Sequence, residues 1–442
     1  MARTAALLVL VAALVAAPAA ALVAAPAAAL VAAPAAALVA APAAGAKSLQ
    51  ARLAHDLNAS GPASGAHVLD LTRGRVLFSV RAGIPRVMMS NTKLFTTGAV
   101  LESLGPRTRF ETVALGSAAI GTDGVLAGDL HLHGGGDPTF GDAAVVIDSF
   151  AGEGATVQDL VARLQAAGLR HVLGRVVGDG SLFDSELGPP RWELNDTPPG
   201  PVGALQFNRG IVGQGAFGPE YTPDPAAFAA EGLRRALVAA GVAVDGGAAT
   251  GPTPAGAVRL AAVESPPVAA LVRLTNKPSD NLLAETLAKQ LGLKTHGLGT
   301  RKAGVAAALR FGRRLGVRAE IHTGSGAFPY PRAAPRQLVK LLVALRKLPT
   351  FGALHASLPI AGRDGTLAGR MRRGPARDRC QAKTGSNFAQ RQRDQASVLS
   401  GYCRTRGRHL VVFSLMMNEV RDVEAARRLQ DGMVQAIAGY KG

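Results

Sequence analysis

Aromatic side chains are scarce in this sequence. Phe, Tyr and Trp make up 4% of its 442 residues, and Trp192 is the single tryptophan. A core built on ring packing is therefore excluded. So is the interleaving of basic and aromatic residues that stacks nucleic-acid bases. Apolar residues still reach 48%, enough for a large core that is aliphatic and alanine-rich. Cysteine is nearly absent: Cys380 and Cys403 are the two present. Acidic residues are also few, 31 against 49 Lys and Arg, which leaves a formal net charge of +18. That balance favours an acidic partner such as nucleic acid, an anionic membrane or an acidic polymer. No nucleic-acid-binding module accompanies it. Arginine-rich codon usage together with solubility is the competing explanation.

Charge of either sign is missing between Arg3 and Lys47, and within that run the octapeptide ALVAAPAA occurs four times in tandem from Ala13 to Ala44. A basic start, an apolar run and repeated A-x-A sites mark an export signal. Each internal proline removes a helix hydrogen bond, so the segment reads as a signal lengthened by duplication. The alternative is an uncleaved membrane anchor. Export to the periplasm or cell-wall space puts the two cysteines in an oxidising compartment, where they can pair.

Along the rest of the chain, residues 66–80 read as two strands joined at Arg73-Gly74. Alternating strand running into a glycine turn is expected over 124–140, and strand again over 171–183. Helices are expected over 156–168, with Thr156 as cap, and over 224–241. A Pro/Gly-rich loop between them holds Trp192. Residues 264–292 give two helices separated by Asn276-Lys277-Pro278, and further helices follow near 304–316 and 334–349. Three strands around CQAKTGSN, ASVLSGYC and HLVVFSLMMN precede a closing amphipathic helix. Strands near both ends with helices between predict an α+β fold, an antiparallel sheet covered by helices. The expected division is a leader over 1–46, a main domain over 47–112 and 268–442, and an inserted accessory region with its own strands over 113–267.

Three short patterns carry chemistry when taken together: Ser90-Asn91-Thr92-Lys93, Ser279-Asp280-Asn281 and Lys383-Thr384-Gly385. Alone, Ser90 and Lys93 read as a helix cap and a solvated lysine. In company they read as a nucleophile and its base. A serine hydroxyl is a weak nucleophile near neutral pH and needs a base. One helical turn brings the lysine amine beside it. Burial beside the lysine of the third pattern depresses the amine's pKa so that it can accept a proton. A helix N-terminus supplies free N–H groups where an oxyanion develops. Ser279 can relay a proton, and Asn281 can orient Lys93 and a substrate amide. Lys383 offers positive charge to a substrate carboxylate, with the Thr384 hydroxyl beside it, and Gly385 lets the strand approach the ligand. The N–H of Ser386, with that of Ser90, would form the oxyanion hole.

A rival third pattern, His322-Thr323-Gly324, is flanked by Gly and Pro and reads as a loop, so the strand context favours Lys383. In a hairpin of the flanking strands, pairing Cys380 with Cys403 also pairs Lys383 with Ser400, which makes a cross-strand disulfide possible. Two unpaired buried thiols are the alternative. His131 and His133 share a strand face, but no third ligand stands out, and no metal site is expected. Gly134-Gly135-Gly136-Asp137-Pro138 is a turn, not a phosphate loop.

The ordered set of three patterns is that of penicillin-binding proteins and β-lactamases. Over nearly all its mature length the chain resembles the D-alanyl-D-alanine carboxypeptidase/endopeptidase family of class C low-molecular-mass penicillin-binding proteins, peptidase family S13. Stretches such as GDLHLHGGGDPTF, TNKPSDNLLAETLAKQLG and LSGYCRTRGRHLVVFSLMMN carry this resemblance further. So does the long gap from Lys93 to Ser279, where the family holds an insertion. The resemblance implies a penicillin-recognising serine transpeptidase/β-lactamase-like domain. It implies Ser90 as acylated nucleophile, Lys93 as base, and peptidoglycan stem peptides as substrates. β-Lactam antibiotics would act as acylating inhibitors, and neither metal nor cofactor is needed. A β-lactamase or esterase on the same scaffold and a non-catalytic wall-binding protein are the alternatives. Two features depart from the pattern. Thr323–Pro329 stands where the family has an Asp-Gly-Ser-Gly-Leu-Ser-Arg-like stretch, which puts the contacts there in question. The loop after the third pattern is long and basic, with Arg391 and Arg393, and is expected to shape the groove.

Overall fold

Strand-forming runs at both ends of the chain meet in one sheet. The computed structural model describes residues 44–190, 192, 200–216, 218–388 and 395–442. Its principal strands are β1 (Gly65–Asp70), β2 (Arg75–Val80), β3 (Glu111–Gly116), β4 (Leu130–Gly134), β5 (Val176–Asp179), β6 (Ala248–Thr250), β7 (Val258–Glu264), β8 (Cys380–Asn387), β9 (Ala396–Arg404) and β10 (Leu410–Asn418). The first sheet has the order β8-β9-β10-β1-β2 and is antiparallel throughout. The second has the order β6-β5-β4-β3-β7 and mixes parallel with antiparallel pairs.

Period-two alternation sends the inner strands' side chains to opposite faces of the first sheet. Val398, Tyr402, Val412 and Met416 join one core cluster, with the helices α2 (Lys93–Leu104), α8 (Arg301–Arg314) and α9 (Pro335–Leu345). Leu399, Cys403, Phe413 and Leu415 join another, with α1 (Ala44–Ala59) and α11 (Val423–Gly439). Both faces are thus covered, as the near-continuous burial of β9 and β10 requires. α2 is buried from Lys93 to Leu101, with Lys93, Thr96 and Thr97 among its buried side chains.

The second sheet packs on α4 (Val157–Ala166) and α5 (Pro225–Ala239) around its own aliphatic core, which includes Leu132, Leu160, Leu205 and Leu233. The expected cap is present: the Thr156 hydroxyl accepts the Asp159 N–H. Within 124–140 the strand occurs as Val125–Leu126 and Leu130–Gly134, and within 171–183 as His171–Val172 and Val176–Asp179, with bends between the pieces at Gly128 and Gly174. A helix α3 (Ala143–Phe150) and a short α10 (Phe351–Ser357) were not anticipated. α6 (Val268–Asn276) and α7 (Asn281–His296) are the two helices expected around Asn276-Lys277-Pro278. α7 meets the second-sheet region through Lys289 to Asp184 (2.7 Å) and through Gln290 Nε2, which donates to the Gly135 carbonyl (2.6 Å). Trp192 is buried, its indole N–H donating to the Gly200 carbonyl. α1 begins at Ala44, so a helix already runs at the end of the segment read as leader. Residues 1–43, which hold most of that segment, lie outside the described residues, as do Arg391 and Arg393.

Candidate active site

Ser90 sits in a 3-10 turn, Met89–Thr92, that feeds directly into α2. Met89 holds a left-handed φ of 46°, which is unusual for a residue with a side chain. Ser90 makes no cap to the helix; its hydroxyl lies 3.0 Å from Lys93 Nζ. Lys93 is fully buried and has two further partners, Asn281 Oδ1 at 2.6 Å and the Ser325 carbonyl at 2.9 Å. Both of those oxygens can only accept. They can therefore hold two N–H bonds of the amine, and when the amine is neutral its lone pair is left for the Ser90 hydroxyl. Burial pushes Lys93 down to about 7, against the opposing charges of Asp280 and Glu285.

The second pattern straddles the start of α7. Ser279 has a left-handed φ of 66°, and its hydroxyl accepts from Lys383 Nζ at 2.7 Å. Asp280 caps α7 by accepting the Leu283 N–H and also pairs with Arg209 at 2.8 Å. Asn281 opens the helix, facing Lys93. The third pattern lies on β8, the edge strand of the first sheet. Cys380 and Ala382 face the α1/α11 core. Alternation then turns Lys383 to the opposite face, toward α2 and α7. Lys383 is fully buried, and burial, followed by the charge of Lys93, holds it well below the usual lysine range. Gly385 is where β8 crosses the 3-10 turn: a Cβ there would stand 2.9 Å from Met89 Cβ and 3.1 Å from the Ser90 nitrogen. The Thr384 hydroxyl bonds Thr366 (2.8 Å), and the Ser386 hydroxyl accepts from Arg427 (2.9 Å). The Cys380–Cys403 disulfide is formed, and the register pairs Lys383 with Ser400.

Ser90, Lys93, Ser279, Asn281 and Lys383 thus converge from the 3-10 turn, α2, the α6–α7 loop, α7 and β8. His322 of the rival pattern instead turns to Glu320 on the half-exposed exterior. His133 pairs with Asp179 of the second sheet, and His131 is a buried strand residue beside it. The divergent stretch at Thr323–Pro329 supplies the Ser325 carbonyl to Lys93. Sequence reasoning missed this contact because every residue carries a carbonyl and no side-chain pattern announces one. It also missed Glu285, whose spacing of one turn from Asn281 was a legible signal, and Thr366 and Arg427, for which no local signal exists.

Comparison with known proteins bears on this geometry. The D-Ala-D-Ala carboxypeptidase 3 (S13) family matches residues 46–217 and 219–440. A D-alanyl-D-alanine carboxypeptidase from Actinomadura is 29% identical, over 88% of this chain and 84% of that protein. A carboxypeptidase from Mycobacterium tuberculosis is 27% identical, over 80% and 75%. Penicillin-binding protein 4 from Haemophilus influenzae has a similar structure, with a TM-score of 0.74 at 20% identity over 89% of this chain and 99% of that one. A peptidoglycan endopeptidase from Bdellovibrio bacteriovorus aligns with a TM-score of 0.56 at 18% identity, over 86% and 92%. With a family match that runs almost from α1 to the end of α11, and with this α+β architecture, the chain belongs to the D-Ala-D-Ala carboxypeptidase 3 (S13) family of serine carboxypeptidases and endopeptidases.

Proposed function

We propose that Ser90 is the nucleophile and Lys93 the base of a D-alanyl-D-alanine carboxypeptidase or endopeptidase that acts on peptidoglycan stem peptides. The observation that carries this reading is the triple coordination of Lys93 Nζ, with two acceptors behind it and the Ser90 hydroxyl in front. The neutral amine takes the Ser90 proton as Oγ bonds to the carbonyl carbon of the penultimate D-alanine. The N–H groups of Ser90 and Ser386 receive the oxyanion; the close approach of β8 at Gly385 supports this pairing. Collapse breaks the C–N bond, and the proton departs with the leaving amine by way of Lys93 and Ser279. Water then attacks the acyl-serine with the same proton path reversed. Lys383 and Thr384 receive the substrate's terminal carboxylate, and Asn281 its amide.

β-Lactams acylate the same oxygen in this reading. Relatives support it: solved structures include the Haemophilus protein complexed with a β-lactam and a Bdellovibrio endopeptidase acylated by penicillin G. Residues 113–267 form an inserted accessory unit; the second sheet, drawn from residues 111–264, supports that division. The enzyme works outside the cytoplasm, where its substrate and an oxidising setting for Cys380–Cys403 coincide. No helix among the described residues is long and apolar enough to cross a membrane. The test is release of D-alanine from an acyl-D-Ala-D-Ala peptide, together with mapping of the penicillin-labelled peptide. Release that is lost in Ser90→Ala, with the label on Ser90, is expected. A label on another residue overturns the assignment.

A further inference from the structure

α7 carries a carboxylate that none of the three patterns includes. Glu285 lies one turn beyond Asn281, so the two share a helix face. It is 2% exposed. Its two oxygens accept the N–H groups of Gly324 (3.0 Å) and Ser325 (2.7 Å). This short segment presents the Ser325 carbonyl to Lys93 Nζ, and its Gly324 carbonyl accepts from the Thr96 hydroxyl at 2.7 Å. Thr96 is itself about one turn of α2 beyond Lys93. The Gly324–Ser325 peptide, which directly precedes the carbonyl that faces Lys93, is therefore tied down from two sides.

The electrostatic setting sharpens the case. Charged groups facing Lys93 come from two elements: Asp280 and Glu285 from α7, and Lys383 from β8. The 3-10 turn and the 323–326 segment offer only neutral atoms, Ser90 Oγ and the Ser325 carbonyl among them. Asp280 is paired with Arg209 at 2.8 Å. Glu285 has no Lys, Arg or His within ion-pair distance among the described residues. A buried carboxylate without a cation is costly unless its oxygens are satisfied. Two backbone donors satisfy it here and leave its charge to act on the neighbouring lysine.

We propose that Glu285 is a positioning residue for acylation: it fixes the Gly324–Ser325 peptide, and so the Ser325 carbonyl that follows it, so that the Lys93 lone pair is aimed at Ser90. The inference rests on Ser90 and Lys93 being nucleophile and base. The carboxylate also opposes the desolvation of Lys93, so removing its charge lowers the proton affinity of the base.

The experiment measures acylation by fluorescent penicillin from pH 5 to 9, with kcat and KM for a D-Ala-D-Ala-terminated peptide. Glu285→Gln loses the charge and one acceptor. It is expected to slow acylation about tenfold or more at pH 8 and to lower kcat with little change in KM. The acid limb of its pH profile moves to lower pH. Glu285→Asp keeps the charge with a shorter reach, so its limb stays in place while its rate falls. If Glu285→Gln does not fold, Thr96→Val loosens the same peptide from the other side and slows acylation without moving the limb. A folded Glu285→Gln protein with wild-type rate and limb overturns the proposal, as does one altered only in melting temperature. Ser90→Ala separates the two levels: if it still labels, the nucleophile assignment fails; if it is silent while Glu285→Gln is unchanged, only this inference fails.

Discussion

Lys93 joins two opposed demands at one nitrogen. Its burial lowers its pKa to about 7 and so makes it a base near neutrality. In the proposed mechanism the neutral amine is the working form, and its fraction rises as pH passes upward through that value. Penicillin acylation is therefore expected to climb between about pH 6 and 8 and then level off; a flat rate across that window would exclude Lys93 as the base. Stability carries the same signature. The unfolded lysine binds its proton up to about pH 10.4, whereas the folded one releases it from about 7. Between those values the unfolded state holds more protons, so the contribution of Lys93 to stability rises with pH. Lys93→Met removes that slope and abolishes acylation, and chemical denaturation at pH 7 and pH 9 reads the difference. Lys383 is depressed by the same burial and by Lys93. A substrate carboxylate favours its charged form, so KM for a carboxylate-terminated peptide should rise with pH more steeply than for its amide.

Among the elements, β8 lies closest to the turn that carries Ser90. Its glycine lets it run against the 3-10 turn, and Gly385→Ala would place a methyl group 3.0 Å from the Met88 carbonyl and 3.1 Å from the Ser90 nitrogen. The strand must shift outward, and acylation is expected to fall by about tenfold to a hundredfold, with circular dichroism unchanged. A wild-type acylation rate would show that the approach of β8 does not matter. At the other end of the strand, the disulfide links it to β9 with a sequence separation of 23 residues. Replacing both cysteines by alanine is expected to cost about 2–4 kcal/mol, read as a lower urea midpoint. Elements such as β8, α7 and the β1–β2 hairpin were legible because each bears a local signal: alternation, a cap, a turn glycine. β7 was not, since its one partner, β3, lies far away in sequence. The candidate site was legible wherever side chains build it. It was illegible where a backbone carbonyl does, as at Ser325, because main-chain chemistry leaves no trace in residue type.

At the scale of the whole molecule, part of the net charge of +18 rests on exposed arginines. Arg372, Arg373, Arg379, Arg404, Arg406 and Arg408 are exposed and form no ion pair among the described residues. They sit on segments stitched together: Arg404 N–H donates to the Arg379 carbonyl, Arg406 N–H to the Ala438 carbonyl, and Gln435 to the Arg373 carbonyl. Retention on purified sacculi should fall as salt rises, since exposed charges are screened beyond about 10 Å at 0.1 M. Replacing Arg404, Arg406 and Arg408 with glutamate should weaken retention while D-alanine release from a soluble peptide persists. Retention indifferent to both changes would reduce the charge to composition. One element ties the candidate site to the second sheet. α7 presents Asn281 and Glu285 to the site, and Lys289 and Gln290 to the second-sheet region. A single residue inserted between Glu285 and Lys289 would rotate everything after it by about 100°. The helix thus works like a camshaft: its residue count, as much as its residue types, times the two ends of the protein to each other.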